Sequence, residues 1–136
     1  MIEEYRLFAE TPRVEDYLRL RIAAGLSPKS AEAAASGLPN TLFAIVVRAR
    51  TETIGMGRVI GDGGLFFQIV DVAVLPEHQG QGLGKAIVGA LVDHLRATSP
   101  KSAYVSLIAD GEAHRLYAQF GFALTAPKSV GMAFVV

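Results

Sequence analysis

Apolar residues in the first third of the chain recur three or four positions apart, a spacing typical of amphipathic helices. After Thr11-Pro12 these residues are Val14, Tyr17, Leu18 and Ile22. Threonine favours a helix N-cap and proline the first helical position, so we predict a helix that starts there and ends at Gly25. Ser27-Pro28 repeats the start signal and predicts a second, alanine-rich helix that ends at Gly37.

From residue 41 the spacing of apolar residues changes to one typical of extended chain. It predicts three strands, over residues 41–50, 54–61 and 65–75. Thr51-Glu52-Thr53 lies in the first connection, and Asp62-Gly63-Gly64 in the second contains a frequent hairpin dipeptide. Because both connections are short, we expect an antiparallel meander, which ends at Pro76.

The second half of the chain alternates between helical and extended patterns. A glycine-rich segment at 79–84 leads into a helix over 82–97, and a strand follows over 102–109. A strand–helix–strand unit favours parallel pairing through a right-handed crossover. Ala113, Leu116, Tyr117 and Phe120 predict a short helix that ends at Gly121. Residues 122–124 and 130–136 are predicted to form a closing antiparallel pair of strands.

Composition excludes several classes of function. The 136 residues suffice for one domain, which we expect to span residues 1–136. Thirteen basic and 13 acidic residues cancel, which argues against a nucleic-acid or anionic-membrane partner. The absence of cysteine excludes disulfides and thiolate nucleophiles. The histidines at 78, 94 and 114 are too far apart in sequence for a helical zinc motif, so we expect no metal.

The location of the protein is also constrained by the sequence. Leu42–Val47, the longest apolar run near the middle, is far shorter than the roughly 20 residues of a membrane-spanning helix. Glu3 and Glu4 are acidic where a signal peptide has basic residues. We therefore expect a soluble, cytoplasmic protein.

The segment 79–84 carries the most specific chemical signal. Amide groups at the start of a helix are free to bind an anion, and glycines let a diphosphate approach the backbone closely. The dinucleotide-binding pattern fails because residue 85 is lysine, and a P-loop fails at Gln79 and Ala86. A third pattern, Gln/Arg-x-x-Gly-x-Gly/Ala, is satisfied at every fixed position from Gln79 to Gly84.

With this pattern the sequence resembles the GCN5-related N-acetyltransferase (GNAT) superfamily. One matching stretch runs from Asp71-Val72-Ala73-Val74 through Pro76 to Gly84. The second, Ala113-His114-Arg115-Leu116-Tyr117 to Gly121-Phe122, is similar to the family's Asn-x-x-Ala-x-x-Leu-Tyr-x-x-x-Gly-Phe segment. Both stretches occur in the family's order, about thirty residues apart.

The resemblance implies a fold and an acyl donor. The expected fold is α/β: a twisted, mostly antiparallel mixed sheet, splayed between its fourth and fifth strands and flanked by about four helices. Tyr5 to Ala9 would be the first strand. Acetyl-CoA would enter the splay without a metal, and by this resemblance its ligands are Val72, Ala73, Val74, Gln79, Gly80, Gln81, Gly82, Leu83, Gly84, Lys85, Asp110 and Tyr117.

Acetyl transfer to an amine requires two proton movements. An alkylammonium with a pKa near 10.4 must first be deprotonated, which costs about 4.6 kcal/mol at pH 7. The thiolate that leaves must then be protonated, and the resemblance places Tyr117 at the general-acid position. Packing in the core is the alternative role for this tyrosine.

The general base is left open by the sequence. Some family members carry a glutamate where this chain has Val105. Asp71 is the best remaining catalytic candidate, with an arginine-paired or bulge-holding carboxylate as its equal alternative. His78 and an ordered water are further options. Asp110 replaces a common asparagine; it can cap the following helix but cannot donate an amide hydrogen bond to the donor's pantetheine.

The acceptor would lie on the other side of the splay. Candidate substrate-binding residues are Phe43, Arg58, Phe66 and Gln68, together with Asp62 and Phe67. Phe66 and Phe67 point to opposite faces of a regular strand, so both cannot line one pocket. The expected function is acetyl-CoA-dependent N-acetylation of a small amine or amino acid. An acyl-CoA sensor and a peptide N-terminal acetyltransferase are alternatives, and the resemblance also suggests a homodimer.

Overall fold

Five strands form one sheet in the order β1-β2-β3-β4-β5. The computed structural model describes residues 4–136, so Glu3, which entered the argument about an export signal, lies outside the described residues. The elements are β1 (Tyr5–Phe8), α1 (Val14–Ala23), α2 (Ala31–Gly37), β2 (Phe43–Ala49), β3 (Glu52–Gly61), β4 (Phe66–Val74), α3 (Leu83–Thr98), β5 (Tyr104–Ser106) and α4 (His114–Ala118).

The strand directions confirm the mixed sheet expected from the sequence. β1 to β4 pair antiparallel in succession, and β4 and β5 pair parallel. The parallel ladder joins only Phe66–Gln68 to Tyr104–Ser106. Beyond Gln68 the two strands diverge, and the edge of β4 towards Val74 is left unpaired by β5. This divergence is the expected splay between the fourth and fifth strands.

Helices cover both faces of the sheet. The apolar side of α3, including Leu83, Ile87, Leu91 and Leu95, is buried against β2, β3 and β4. On β3, Gly57 approaches α3 so closely that an added Cβ atom would lie 2.6 Å from Ile87 Cγ2. Arg58, the next residue, points to the opposite face and stacks over Tyr17 of α1. No helix formed by residues 4–136 is long and apolar enough to cross a membrane.

Both early helices start later than predicted. α1 follows Arg13, whose side chain makes no capping hydrogen bond, so the assignment of Thr11 as the N-cap was wrong. α2 is capped by Ser30, whose hydroxyl accepts a hydrogen bond from the Ala33 amide at 3.0 Å. Ser27 does not start this helix because its carbonyl and hydroxyl oxygens both accept hydrogen bonds from the Arg21 guanidinium.

The end of the chain also departs from the prediction. Residues 122–124 and 130–136 form no strand, and β5 is three residues long rather than the predicted 102–109. A strand needs a neighbour to satisfy its backbone, and within the described residues none lies on the outer side of β5. The side chains of Met132, Phe134 and Val135 are accordingly almost fully exposed, at 88–89%.

The contact between Gly57 and α3 gives a first prediction. Gly57→Ala should lower the free energy of unfolding by about 1–3 kcal/mol, because the new methyl group would overlap Ile87 and Leu91 in a packed core. Gly64→Ala is the matched control, since nothing lies within 4 Å of the added atom, and should change stability by less than about 0.5 kcal/mol. Urea denaturation of the three proteins measures both values, and equal stabilities would contradict the prediction.

Candidate active site

A cavity of about 490 Å³ lies where β4 and β5 diverge. We call it the cleft. It is bordered by the end of α1 with the loop that follows, by β4, and by the segment from β5 to α4. Five residues that the sequence analysis proposed for the site line it, namely Gln68, Asp71, Val72, Asp110 and Tyr117. The fold thus brings together residues from two distant stretches of the chain.

A bulge in β4 sets the position of Asp71. Met56 pairs with Ala73 and Arg58 with Val70, so the single residue Gly57 faces two residues of β4. Asp71 adopts a left-handed backbone conformation with φ of 60°, which is uncommon for a residue with a side chain. Bulges of this kind redirect a side chain and end regular pairing.

The Asp71 carboxylate is held by three side chains. Arg21 Nη1 lies 2.6 Å from one carboxylate oxygen, and Arg58 Nη1 lies 2.8 Å from the other. The Tyr17 hydroxyl donates a third hydrogen bond at 3.1 Å. Burial and the neighbouring Asp71 charge raise the pKa of Tyr17, so its phenol stays a donor. The arrangement is the arginine-paired, bulge-holding role that the sequence left open for Asp71.

Tyr117 contributes its phenol to the cleft from α4. Burial, and secondly the negative charge of Asp110, raise the pKa of Tyr117 above its ordinary value. The ring packs edge-on against Phe122 with centroids 6.0 Å apart. At neutral pH this phenol therefore carries a proton on the border of the cleft, as a general acid requires.

Asp110 precedes the turn that leads into α4. Its backbone occupies the N-cap position, but its side chain makes no hydrogen bond to the amides that follow. The alternative role of this residue as a side-chain cap is therefore wrong. Its carboxylate instead acts electrostatically on Tyr117.

The glycine-rich segment presents an uncovered helix N-terminus. Gly82 is the N-cap of α3 in a left-handed conformation with φ of 79°, and no side chain caps the helix. Gly80 has a φ of 80°, and an added Cβ atom at either glycine would meet nothing within 4 Å. Leu83 is buried and anchors the helix, whereas Lys85 is exposed. The first amides of α3 are thus available to an anion.

Gln79 connects this segment to the open edge of β4. Its side-chain amide donates to the Val74 carbonyl at 2.9 Å, and its main-chain N–H donates to the Pro76 carbonyl at 3.3 Å. The main-chain amides available to an anion therefore begin at Gly80 rather than at Gln79. Leu75 donates its N–H to Ile54 on the β3 side. Because N–H directions alternate along a strand, the Val74 N–H points away from β3, towards the edge of β4 from which β5 has diverged.

Most of the proposed acceptor residues lie outside the cleft. Phe43 stacks on His94 of α3 with ring centroids 3.7 Å apart, and Phe66 is 63% exposed beside Tyr104. Asp62 accepts hydrogen bonds from three backbone amides of its own hairpin. Arg58 lines a separate cavity on the other side of Asp71. Of Phe43, Arg58, Phe66 and Gln68, only Gln68 borders the cleft.

Sequence reasoning missed Arg21 and misplaced Ile22. Ile22 was assigned to the buried side of α1, yet its side chain is 65% exposed, while Arg21 is 9% exposed and lines the cleft. The attraction of Asp71 turns the arginine inward. The available signal was its position four residues after Tyr17, which puts both side chains on one face of α1.

His78 is fixed by the first strand. Its Nδ1 atom lies 2.7 Å from the Tyr5 hydroxyl, and the two rings meet edge-on. It does not line the cleft. Among residues 4–136, no group of three or more histidine, aspartate or glutamate side chains is placed to hold a metal ion.

Comparison with known proteins agrees with this architecture. The family model described as an acetyltransferase (GNAT) domain matches residues 40–124, which include the bulged strand, the glycine-rich segment and Tyr117. The chain belongs to the GNAT family of N-acetyltransferases.

Individual members of the family show how far the likeness extends. A crystal structure of a protein of unknown function and probable acetyltransferase from meticillin-resistant Staphylococcus aureus is 49% identical, with a TM-score of 0.93 over 97% of this chain and 99% of the other. Arabidopsis thaliana GCN5-related N-acetyltransferase 2 is 44% identical over 51% of this chain. Rice serotonin N-acetyltransferase 2 is 35% identical over 60% of it. The chain spans only 26% and 40% of the length of these two plant proteins.

The ion pairs around Asp71 give a second prediction. Asp71→Asn should lower the free energy of unfolding by about 3–5 kcal/mol, because two buried guanidinium groups lose their shared counter-charge. Glu112→Gln is the control: it removes an ion pair with Arg115 whose side chains are 75–78% exposed, and should cost at most about 1 kcal/mol. Thermal and urea unfolding measure both, and a small effect at Asp71 would show that the cluster does not hold the fold.

Proposed function

We propose that this GNAT protein is an acetyl-CoA-dependent N-acetyltransferase that acetylates a primary amine of a small molecule or amino acid by direct attack in a ternary complex. The observation that carries the proposal is the shared cleft. The Tyr117 phenol and the open edge of β4 at Val72 border one cavity, and β4 leads from there to the uncovered start of α3.

The described residues fit the acyl donor. The open edge at Val72, Ala73 and Val74 can accept an extended, amide-containing chain as an added strand, which suits pantetheine. The main-chain amides from Gly80 to Lys85 can hold a pyrophosphate, because no side chain caps them and both left-handed glycines leave space. Asp110 and Tyr117 complete the donor side of the cleft. Bound acetyl-CoA would supply the reactive thioester.

Tyr117 is the proposed general acid. Since its pKa is raised, its phenol stays protonated throughout the neutral range and can protonate the thiolate as it leaves. Asp71 is a less suitable base than the sequence suggested, because accepting a proton would disrupt its ion pairs with Arg21 and Arg58. We propose that ordered water removes the proton from the acceptor amine.

The size of the cleft favours a small acceptor. A cavity of about 490 Å³ must hold the acetyl end of the donor and the amine together. Rice serotonin N-acetyltransferase 2, which matches part of this chain, is named for acetylation of a small amine. The absence of a carboxylate at Val105 favours the second candidate function, an acyl-CoA sensor without turnover.

Tyr117→Phe distinguishes an enzyme from a sensor. Turnover, measured as release of free coenzyme A thiol, should fall about 10²–10⁴-fold, the usual contribution of a general acid. Affinity for acetyl-CoA, measured by calorimetry, should be unchanged because the ring remains. Tyr104→Phe, at a 51% exposed position on β5, is the matched control and should retain full turnover.

Two results would contradict this assignment. Unchanged turnover in Tyr117→Phe would remove Tyr117 as the acid. Tight binding of acetyl-CoA with no thiol release, across a panel of amines, amino acids and short peptides, would identify a sensor instead. Release with peptides alone would identify the peptide acetyltransferase of the sequence analysis.

We further propose a homodimer in which residues 130–136 of one copy bind the outer edge of β5 in a second copy. The segment is rich in apolar residues yet exposed, with Val130 at 69% and Phe134 at 88%. Beside β5 lies a groove of about 410 Å³ whose lining includes Val92, Leu95 and Phe122. Within its own chain the segment leaves this groove uncovered, which favours a second copy as the occupant.

Removal of residues 130–136 tests this dimer. The wild-type protein should sediment at twice the mass of its chain in analytical ultracentrifugation, and the truncated protein at the mass of one chain. Phe134→Ala should weaken the dimer in the same direction, because it removes the ring that would pack against Val92, Leu95 and Phe122. Met1 to Ser129 retains every helix and strand of residues 4–136, so circular dichroism should be unchanged. A monomeric wild-type protein, or a truncated protein that still dimerises, would overturn the proposal.

A further inference from the structure

A second cavity, of about 210 Å³, lies on the side of Asp71 that faces α2. We call it the side pocket. Tyr17, Lys29 and Arg58 line it together with small and apolar residues of α2 and the turn after it. It thus presents two cationic side chains, and no acidic residue borders it. Lys29 is exposed, and among residues 4–136 it forms no ion pair.

The charges next to the side pocket do not cancel. Arg21, Arg58 and Asp71 have side chains that are only 11%, 9% and 6% exposed, and together they carry one excess positive charge. A buried charge without a counter-charge is energetically costly, and proteins usually provide an opposite charge or a hydrogen-bond partner. None of the ion pairs within residues 4–136 joins another carboxylate to either arginine.

The hydrogen-bond pattern shows that Arg58, and not Arg21, has a guanidinium nitrogen without a partner in the described part of the chain. All three nitrogens of the Arg21 guanidinium donate hydrogen bonds, two to Ser27 and one to Asp71. Arg58 uses Nε for Thr41 and Nη1 for Asp71, and its Nη2 makes no hydrogen bond to any described residue. A nine-tenths buried guanidinium therefore borders the side pocket with a donor to spare.

We infer that the side pocket binds an oxyanion, a carboxylate or a phosphate, carried by the acceptor amine. This inference rests on the proposed acetyltransferase function and names its substrate class. The free donors of Arg58 and the exposed ammonium of Lys29 suit an anion with several oxygens. The volume of the side pocket fits such a group but not a large ring system.

The side pocket lies next to the cleft, so the anion and the reacting amine of one acceptor could occupy neighbouring cavities. Asp71 lines the cleft, and its ion-pair partner Arg58 lines the side pocket, with Asp71 Oδ2 and Arg58 Nη1 2.8 Å apart. The two cavities therefore adjoin the same ion pair. For this inference to hold, an acceptor whose anion binds Arg58 must extend beside this ion pair, so that its amine reaches the cleft and Tyr117.

Matched acceptors test the charge requirement. Each pair consists of an anionic amine and a neutral counterpart: an amino acid with its carboxamide, and an aminoalkyl phosphate with the corresponding amino alcohol. Because the anion also raises the pKa of the amine, kcat/KM is compared per unprotonated amine. The anionic member should have a kcat/KM at least about tenfold higher, expressed mainly in KM, because binding rather than chemistry is affected. Preference for the carboxylate or for the phosphate identifies which oxyanion is used. Equal kcat/KM within both pairs would overturn the inference.

Substitution of Lys29 links this preference to the side pocket. Lys29→Gln removes an exposed cation without disturbing the buried ion pairs, and should raise KM for the anionic acceptor about tenfold while leaving the neutral acceptor unchanged. Arg58→Lys keeps the charge but loses the planar donor group, and should weaken anion binding further. Lys101→Gln, an exposed position outside both cavities, is the matched control. An identical anion preference in Lys29→Gln and Arg58→Lys would exclude the side pocket.

Measuring the binding of anions in the absence of acetyl-CoA tests this inference independently of the proposed function. Inorganic phosphate and acetate, titrated without acetyl-CoA, should bind the wild-type protein saturably and more weakly in Lys29→Gln, and should compete with the anionic acceptor. Acetylation of amines without any anion preference would refute the inference and leave the acetyltransferase function standing. Saturable anion binding without acetylation of any amine would refute the function alone. Anion binding that does not compete with the acceptor would refute the assignment of the acceptor.

Discussion

The carboxylate of Asp71 is the point at which three elements of the fold meet. It projects from the bulge in β4 and binds Arg21 of α1 and Arg58 of β3, with Tyr17 as a third donor. Through these contacts α1 is held against the sheet where β4 begins to diverge from β5. The cleft depends on this cluster, because α1 and the loop after it form one of its sides.

The same cluster contributes to the stability of the fold and to the acceptor recognition that we infer. Two guanidinium groups share one buried carboxylate, so the cluster holds the structure together while keeping an excess of positive charge. A protein that needed only stability could satisfy Asp71 with one arginine. The second arginine borders the side pocket with an unused donor, which is the basis for the acceptor-binding role that we infer for this cluster.

The glycine-rich, uncapped start of α3 could be predicted well from the sequence, because its geometry depends on the main chain. Gly80 and Gly82 adopt left-handed conformations that glycine favours, and the uncapped start of α3 follows directly from this local geometry. Tyr117 was found for a related reason: its motif fixes it on a short helix, and the fold then places it on the cleft. The acceptor side was predicted poorly. Phe43 and Phe66 were chosen by residue type, but contacts with His94 and Tyr104 that are distant in sequence determine where these rings lie.

The sequence by itself determined the order of the elements, the antiparallel meander, the parallel return to β5 and the glycine-rich start of α3, since these follow from periodicity, turns and backbone preference. Tertiary structure alone decided that Arg21 points inward and Ile22 outward, that Asp71 is bound by two arginines, and that residues 130–136 form no strand. The physical reason is that ion pairs and strand pairing depend on partners brought together by folding. Local pattern specifies what a residue can do, whereas only its neighbours in space determine which of those possibilities is realised.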